Sequence, residues 1–552
     1  LQPVQWLVNG VAGGGRSMGT ITANGIYIAP SVNPGTSITI QAVSLTFSNV
    51  TGSATVTVVN PPQLPLTGIT YSKLLNSWND TQLPWVEDLS GLQWDVSSRT
   101  WTPVSDWTAP VSTLAPMIFN LYQALDPLTE MAIAKQDVSL MEELALFHVA
   151  LLNRRTMTIG ALVQNAPPGA YINMTGPSTD RTFGYQTMYT ATQVEVAECP
   201  LCNLRYLLSA ARLLRAIAQL PPTQRTTPLT SFVSSFSGFL VNEQLIRMYS
   251  GSTFSWQWNN PNIPLQLVSA WTFLAKTGYE PPHPIKYQAA MTDPELWILA
   301  DTAEALGADA AAPELNILDN NSRPQLLEAV AAGTALLQMR SSHITAPDGA
   351  DTLSTLAGDT DDDPDNAYDA YEGPETPTTP DEKYGLMTDS MHSSTLPSVF
   401  QSLYQNRDIT GESFPALTDI VGLANSYVHL AFNGNTQLPD FNNFLDGWNG
   451  WFRVGDPSIP GGYPPHQYCN GQLDPDNCMT AGTVQGWGHL AVYNPDLAAL
   501  EQNLISLAND DSDAASAFKA QHYWYNGPYT ANARDYPAMM IYIGGDVAGM
   551  VN

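Results

Sequence analysis

The chain has 552 residues, 44% of them hydrophobic and 13% charged, which excludes a disordered protein and leaves room for two or more domains with substantial cores. Its 21 basic and 51 acidic residues give a net charge of −30. Such a surface repels nucleic acid and anionic membranes, and it disfavours polyanionic substrates such as polyuronates. The longest apolar runs, such as PAMMIYI at 537–543, are too short to span a bilayer. The sequence starts at Leu1, with neither an initiator Met nor a signal peptide in it, and is read as a mature or trimmed product, which suits secretion.

Residues 1–60 alternate apolar and polar positions between turn signals, and VQWLVNG, GTITANGIYIAP, SITIQAVS and SATVTVVNPP read as short antiparallel strands of a sandwich. The Asn24-Gly25 pair is a favoured tight-turn dipeptide between two such runs. Three elements carry a resemblance to bacterial Ig-like domains of secreted and surface proteins. They are W-x-VNG (Trp6, Val8, Asn9, Gly10), GTIT-x-NG-x-Y-x-AP (Gly19 to Pro30) and the closing SATVTV (Ser53 to Val58). The resemblance implies a module of about a tenth of the chain and no reaction. Such domains usually carry two further strands before W-x-VNG. Either the chain is trimmed or another chain supplies the missing strands by β-augmentation of an open edge. GRSMG at 15–19 matches G-x-S-x-G, but it falls in a β-sandwich loop rather than the strand-to-helix turn of a nucleophile elbow.

NPPQLPLTG at 60–68 is a Pro-rich linker, and the stretch 61–113 reads as linker and irregular chain carrying Trp78, Trp85, Trp94, Trp101 and Trp107. From 114 to 552 the pattern is helical. Apolar residues recur three and four apart over 115–135, 138–153, 202–219, 228–249, 264–277, 286–307 and 324–340, and again over 412–433, 495–508, 512–523 and 535–549. An acidic insertion interrupts the series around 343–395. The fold class is therefore multi-domain: a small Ig-like β-sandwich plus a large mainly α domain. The absence of a 34- or 40-residue repeat disfavours a regular solenoid, and helix count with the secreted context favours an α/α toroid over an irregular helical bundle.

The cysteines fall in two close pairs, Cys199/Cys202 and Cys469/Cys478, which suits two disulfides in an oxidising, extracellular compartment. A four-thiolate zinc site is the competing reading, weakened by the wide spacing of the second pair. A redox role for Cys199 and Cys202 lacks a surrounding thioredoxin-like pattern.

Within the insertion, DDDPDNAYDAYE at 361–372 places Asp361, Asp363, Asp365, Asp369 and Glu372 at positions 1, 3, 5, 9 and 12, with the carbonyl of Ala367 at 7. That register resembles an EF-hand calcium loop, and its hard oxygen donors imply bound Ca²⁺. The sequence departs from the pattern in carrying Asn366 where Gly is usual and in having GPETPTTPDEK, not a helix, after the loop. The expectation is a structural Ca²⁺ loop, and the alternative is a solvated acidic insertion.

Fourteen Trp and 23 Tyr suit stacking on sugar rings, against the plain alternative that they are core. Mixed polar and aromatic stretches at 447–456, 461–471, 485–494 and 522–537 read as loops lining a cleft, with Trp448, Trp451, Trp487, Trp524 and Arg534 as substrate-binding candidates and His466, His489 and Tyr523 beside them. Hydrolysis of a glycosidic bond needs two carboxylates. Candidates are Asp535, Glu142 and the pair Asp301 and Glu304, three apart on one helix face, with Asp456 and Glu143 also considered; His522 and Tyr525 are candidate bases. The eight His show no HExxH. The reading is a secreted glycoside hydrolase acting on a neutral polysaccharide, ranked above a polysaccharide lyase. A non-catalytic extracellular filament subunit that self-associates through the incomplete Ig-like edge is the alternative. No nucleic-acid partner and no membrane span are expected.

Overall fold

The computed structural model describes residues 3–15, 18–21, 25, 27–28, 36–47, 50–57, 66–104, 114–173, 177–188, 193–249, 293–355, 367–368, 373, 375–377, 386–390, 392–436, 439–452, 462–465, 468, 486–510, 512–516 and 545–550. Helices dominate these residues and the strands gather into small sheets, which makes this a mixed α plus β multi-domain protein.

At the N-terminus run β1 (Val4–Val8), β2 (Val11–Ala12), β3 (Gly14–Gly15), β4 (Gly19–Ile21), β5 (Tyr27–Ile28), β6 (Ile38–Ser44) and β7 (Thr51–Val56). They form an antiparallel sheet in the order β2-β1-β6-β7 and a second in the order β3-β4-β5. Alternation turns Val8, Ile21, Ile38 and Ile40 into a shared apolar core, with Trp6, Met18, Tyr27 and Val56 against it. Between β1 and β2, Asn9 and Gly10 both take positive φ, 46° and 82°, the conformation that lets a two-residue hairpin follow the strand twist.

The stretch after the linker is more regular than its aromatic sequence suggests. Thr70 accepts from the Lys73 N–H and starts α1 (Tyr71–Ser77); a wide turn over Trp78–Gln82 leads into α2 (Leu83–Ser90), which stops at Gly91 with φ 61°. β8 (Leu92–Asp95) and β9 (Thr100–Pro103) then form a hairpin that sets Trp94 opposite Trp101. Tryptophans here fill a core facing the helices, which obscures the local periodicity.

The helical body comprises α3 (Leu114–Lys135), α4 (Val138–Arg155), α5 (Ile159–Gln164), α6 (Pro200–Gln219), α7 (Thr227–Gly238), α8 (Arg247–Tyr249), α9 (Asp293–Ala311), α10 (Ser322–Met339), α11 (Thr395–Thr410), α12 (Leu417–Asn425), α13 (Gly488–Ala491) and α14 (Pro495–Ala508). Short strands separate α4 from α6: β10 (Met157–Thr158) pairs with β12 (Arg181–Thr182), and β14 (Val194–Glu198) lies between β11 (Tyr171–Asn173) and β13 (Gly184–Met188). At the foot of α6, Cys199 and Cys202 form a disulfide with sulfurs 2.02 Å apart, and the Cys199 sulfur accepts from the Cys202 N–H at 3.2 Å, capping the helix. Cys469 and Cys478 lie outside the described residues.

α6 packs against α3 and α9, and α9 packs in turn against α10 and α11. Both α6 and α9 are buried nearly all round, so their apolar residues cover every face rather than one stripe. α11 escapes the periodicity reading because Ser398, Ser402 and Asn406 sit on buried positions. The first part of the acidic insertion is a hairpin of β15 (Ser341–Thr345) and β16 (Asp351–Thr355). It docks on α12, where His343 lies 2.9 Å from both Asp351 and Asp419. Further on, β17 (Ala367–Tyr368) pairs with β18 (Trp451–Phe452).

Candidate functional site

The helices bring a set of ionisable side chains to the middle of the apolar body. Asp126 and Tyr122 come from α3, Arg212 and Arg215 from α6, Asp301 and Glu304 from α9, Ser398 and Ser402 from α11, His489 from α13 and Glu501 from α14, joined by Asp546. Asp301, Glu304 and Glu501 have no exposed surface, and Arg212 and His489 retain 1% each.

Local sequence explains how some of these groups arrive. Pro127 stands inside α3 directly after Asp126, which removes one helical N–H. Against Pro127 packs Gly545: a Cβ there would meet the Pro127 carbonyl oxygen at 2.7 Å, so glycine permits the approach that sets Asp546 beside Asp126. Asn494 caps α14 by accepting from the Asp496 and Leu497 N–H groups at 2.9 and 3.0 Å, fixing the start of the helix that carries Glu501.

Arg212 organises the centre. Its Nη1 donates to Asp126 Oδ1 at 2.7 Å and lies 3.5 Å from Glu130, while Nη2 donates to the Ser398 carbonyl at 2.9 Å. Tyr122 donates to the other Asp126 oxygen at 2.8 Å. His489 Nε2 lies 3.0 Å from that same oxygen, 3.3 Å from Arg212 Nη1 and 3.5 Å from Asp546 Oδ1. Asp126, His489 and Asp546 each offer a ligand atom, and these atoms all lie within 4.8 Å of one another.

Burial acts on all these groups, and their neighbours decide the outcome. Burial alone would lift the Asp126 carboxyl, but Arg212 and His489 outweigh it and hold it below the usual range. Asp546 moves up, from burial and from the charges of Asp126 and Glu130. His489 is raised because Asp546 and Asp126 overcome its burial. Two α9 carboxyls stand a helical turn apart: Glu304 is ion-paired with Arg215, whereas neither oxygen of Asp301 has a hydrogen-bond partner among the described residues. Burial, then the charge of Glu304, raises Asp301 well above the carboxylate range. A buried carboxyl that holds its proton, one helical turn from a side chain paired with an arginine, is placed to act as a proton donor.

Of the residues singled out from sequence, Asp301 and Glu304 thus fall together in this centre, and His489 joins them. Glu142 does not: it pairs with Arg99 at 2.9 Å and ties α4 to the β8–β9 hairpin, while Glu143 accepts from the Trp78 indole at 3.0 Å. Trp487, expected in a cleft, is instead a core residue with no exposed surface, its ring stacked on Tyr427 at 4.1 Å between centroids. Trp451 is 5% exposed and donates to the Gly373 carbonyl at 2.8 Å; Trp448 is exposed. Asp535, His522, Tyr523, Tyr525, Trp524, Arg534, Asp456 and His466 lie outside the described residues, as do Asp361, Asp363, Asp365, Asp369 and Glu372 of the acidic run; Ala367 is described, in β17.

Sequence reasoning passed over Asp126, Arg212, Glu501 and Asp546. Their signal is one or two charges in an otherwise apolar helical stretch, as in SAARLLRAIA at 209–218 and LAALEQNLIS at 497–506, where a residue on the buried face must find a partner. No family model matches the chain, and no curated protein or solved structure matches it.

Proposed function

We propose that the protein is a secreted hydrolase of glycosidic bonds, acting on a neutral polysaccharide, with Asp301 as the proton donor and Glu304 as its partner carboxylate. The observation that carries this reading is the α9 pair itself: Asp301 is sealed, without a hydrogen-bond partner among the described residues, one turn from Glu304, which is held by Arg215. A buried carboxyl that keeps its proton, one turn from a side chain paired with Arg215, supplies the acid half of glycosidic cleavage. Asp301 has no exposed surface, so this reading requires an opening of the helical body that admits the substrate. The aromatic-rich composition and the exposed ring of Trp448 favour a sugar ligand, and the net charge of −30 ranks hydrolysis above elimination on a uronate. The Cys199–Cys202 disulfide fits an extracellular compartment.

In the same reading the helical body is an α/α toroid, residues 1–60 are an Ig-like module and 361–372 are a structural Ca²⁺ loop. A reducing-sugar screen over neutral and acidic polysaccharides, with and without calcium, tests it. The folded protein is expected to release sugar from a neutral polysaccharide, and Asp301→Asn to lower that rate about a hundredfold or more. Absence of release from every polysaccharide ends the hydrolase reading.

A second reading, a self-associating structural subunit, is favoured by β7. Among the described residues this strand pairs with β6 alone and is exposed along nearly its whole length, leaving an open sheet edge. Ordered assemblies seen by electron microscopy, abolished by a proline in β7, would support it; a monodisperse monomer at high concentration would not.

A further inference from the structure

Three observations converge on the part of the polar centre around His489. First, Asp126 Oδ2, His489 Nε2 and Asp546 Oδ1 face one another: the imidazole nitrogen stands 3.0 Å from one oxygen and 3.5 Å from the other, the latter too long for a good hydrogen bond. Second, the surroundings are short of partners. Asp546 Oδ1, His489 Nδ1 and both oxygens of Glu501 have no hydrogen-bond partner among the described residues, although all three residues are more than nine-tenths buried. Third, the charges do not balance. Asp126 and Glu130 share the guanidinium of Arg212, which is already committed to Asp126 Oδ1 and the Ser398 carbonyl, while Asp546 has His489 at 3.5 Å and Glu501 lies beside Asp546. Unbalanced carboxylates in an apolar interior are costly unless a cation or protons neutralise them.

We propose that Asp126, His489 and Asp546 bind one divalent first-row transition-metal ion, with Glu501 beside Asp546 contributing further negative charge. The imidazole nitrogen lies 3.0 and 3.5 Å from the two carboxylate oxygens, close to the roughly 3.3 Å that separates ligands bonded at about 2 Å in a tetrahedral site. One imidazole nitrogen with carboxylate oxygens suits Zn²⁺ or Mn²⁺, whereas Ca²⁺ favours an all-oxygen shell. The site is therefore chemically distinct from the acidic run at 361–372. Arg212 does not replace the ion: it neutralises one carboxylate of the group, and its other donor points to α11. Tyr122 orients Asp126 by donating to the ligating oxygen, the kind of outer contact that fixes a metal ligand.

The test uses Mn²⁺ and the full chain, stripped with a chelator, and is read without any activity assay, so its failure is separate from failure of the hydrolase reading. Titration followed by electron paramagnetic resonance is expected to show one Mn²⁺ bound per chain, and pulsed measurements to show coupling to an imidazole nitrogen. His489→Gln should abolish that coupling, and Asp546→Asn should weaken binding at least tenfold. A circular-dichroism melt establishes that each variant is folded; where His489→Gln is not, the Asp546→Asn affinity decides. An Asp363→Asn/Asp365→Asn variant should leave the nitrogen-coupled ion in place. No bound Mn²⁺, oxygen-only ligation in the unaltered protein, or nitrogen coupling and affinity unchanged in the folded variants would overturn the proposal.

Discussion

Asp301→Asn separates a buried neutral acid from a buried ion by its effect on folding. Asp301 has no exposed surface, and burial with the nearby charge of Glu304 raises its carboxyl well above the ordinary 3.8, against a weaker opposing pull from Arg212. In the unfolded chain the same group titrates at its ordinary value. Below that value both states are protonated, and Asp and Asn differ little in volume or polarity. Above it the unfolded chain releases a proton that the folded chain keeps, so stability falls as pH rises until the folded carboxyl ionises. The slope in that window is about 1.4 kcal/mol per pH unit. Asparagine cannot ionise, so the variant lacks this slope. Urea denaturation followed by Trp fluorescence across pH 4.5 to 7 (roughly the window the linkage argument covers) is expected to show Asp301→Asn gaining on the unaltered protein at every step. A difference constant with pH, or a variant that loses ground as pH rises, would show that Asp301 is ionised in the folded protein and would refute the reasoning.

Two further predictions concern packing and charge. Arg247 donates to both Glu198 oxygens at 2.6 and 2.8 Å, with each side chain 1% exposed. Arg247→Met strands a buried carboxylate and should cost about 3–5 kcal/mol; adding Glu198→Gln should restore much of it, whereas additive losses in denaturation would exclude a coupled pair. Gly307 lies inside α9, and a Cβ there would collide with the Asn406 side chain of α11 and come within 3.0 Å of Arg215 Cδ. Gly307→Ala gains about 1 kcal/mol in helix propensity, yet overpacking costs about 1–3 kcal/mol, so a net loss of stability is expected; a raised denaturation midpoint would mean the α9–α11 contact yields easily.

Much of the helical body is legible from spacing, because an amphipathic or fully apolar helix prints its period locally. The expected segment 138–153 emerges as Val138–Arg155, 202–219 as Pro200–Gln219 and 324–340 as Ser322–Met339. Where polar residues are buried the period is lost, as in α11, whose Ser398, Ser402 and Asn406 serve contacts with other helices. The hairpin at 341–355 is hidden for the same reason: its hold on α12 depends on His343 and Asp419, which are far apart in the chain.

Composition, periodicity and cysteine spacing decided what is local here: an acidic, mainly helical chain, strand-like at its N-terminus, with the Cys199–Cys202 disulfide. Asp301 and Glu304 could be placed on one helix face because a single helix relates them. Whether they were surface charges or buried acids could not, since that depends on Arg212 and Arg215 of another helix. Asp126 and His489 stand 363 residues apart in the chain. Only tertiary packing brings them to one point, and burial then turns ordinary carboxyls and an imidazole into a group that demands protons or a cation.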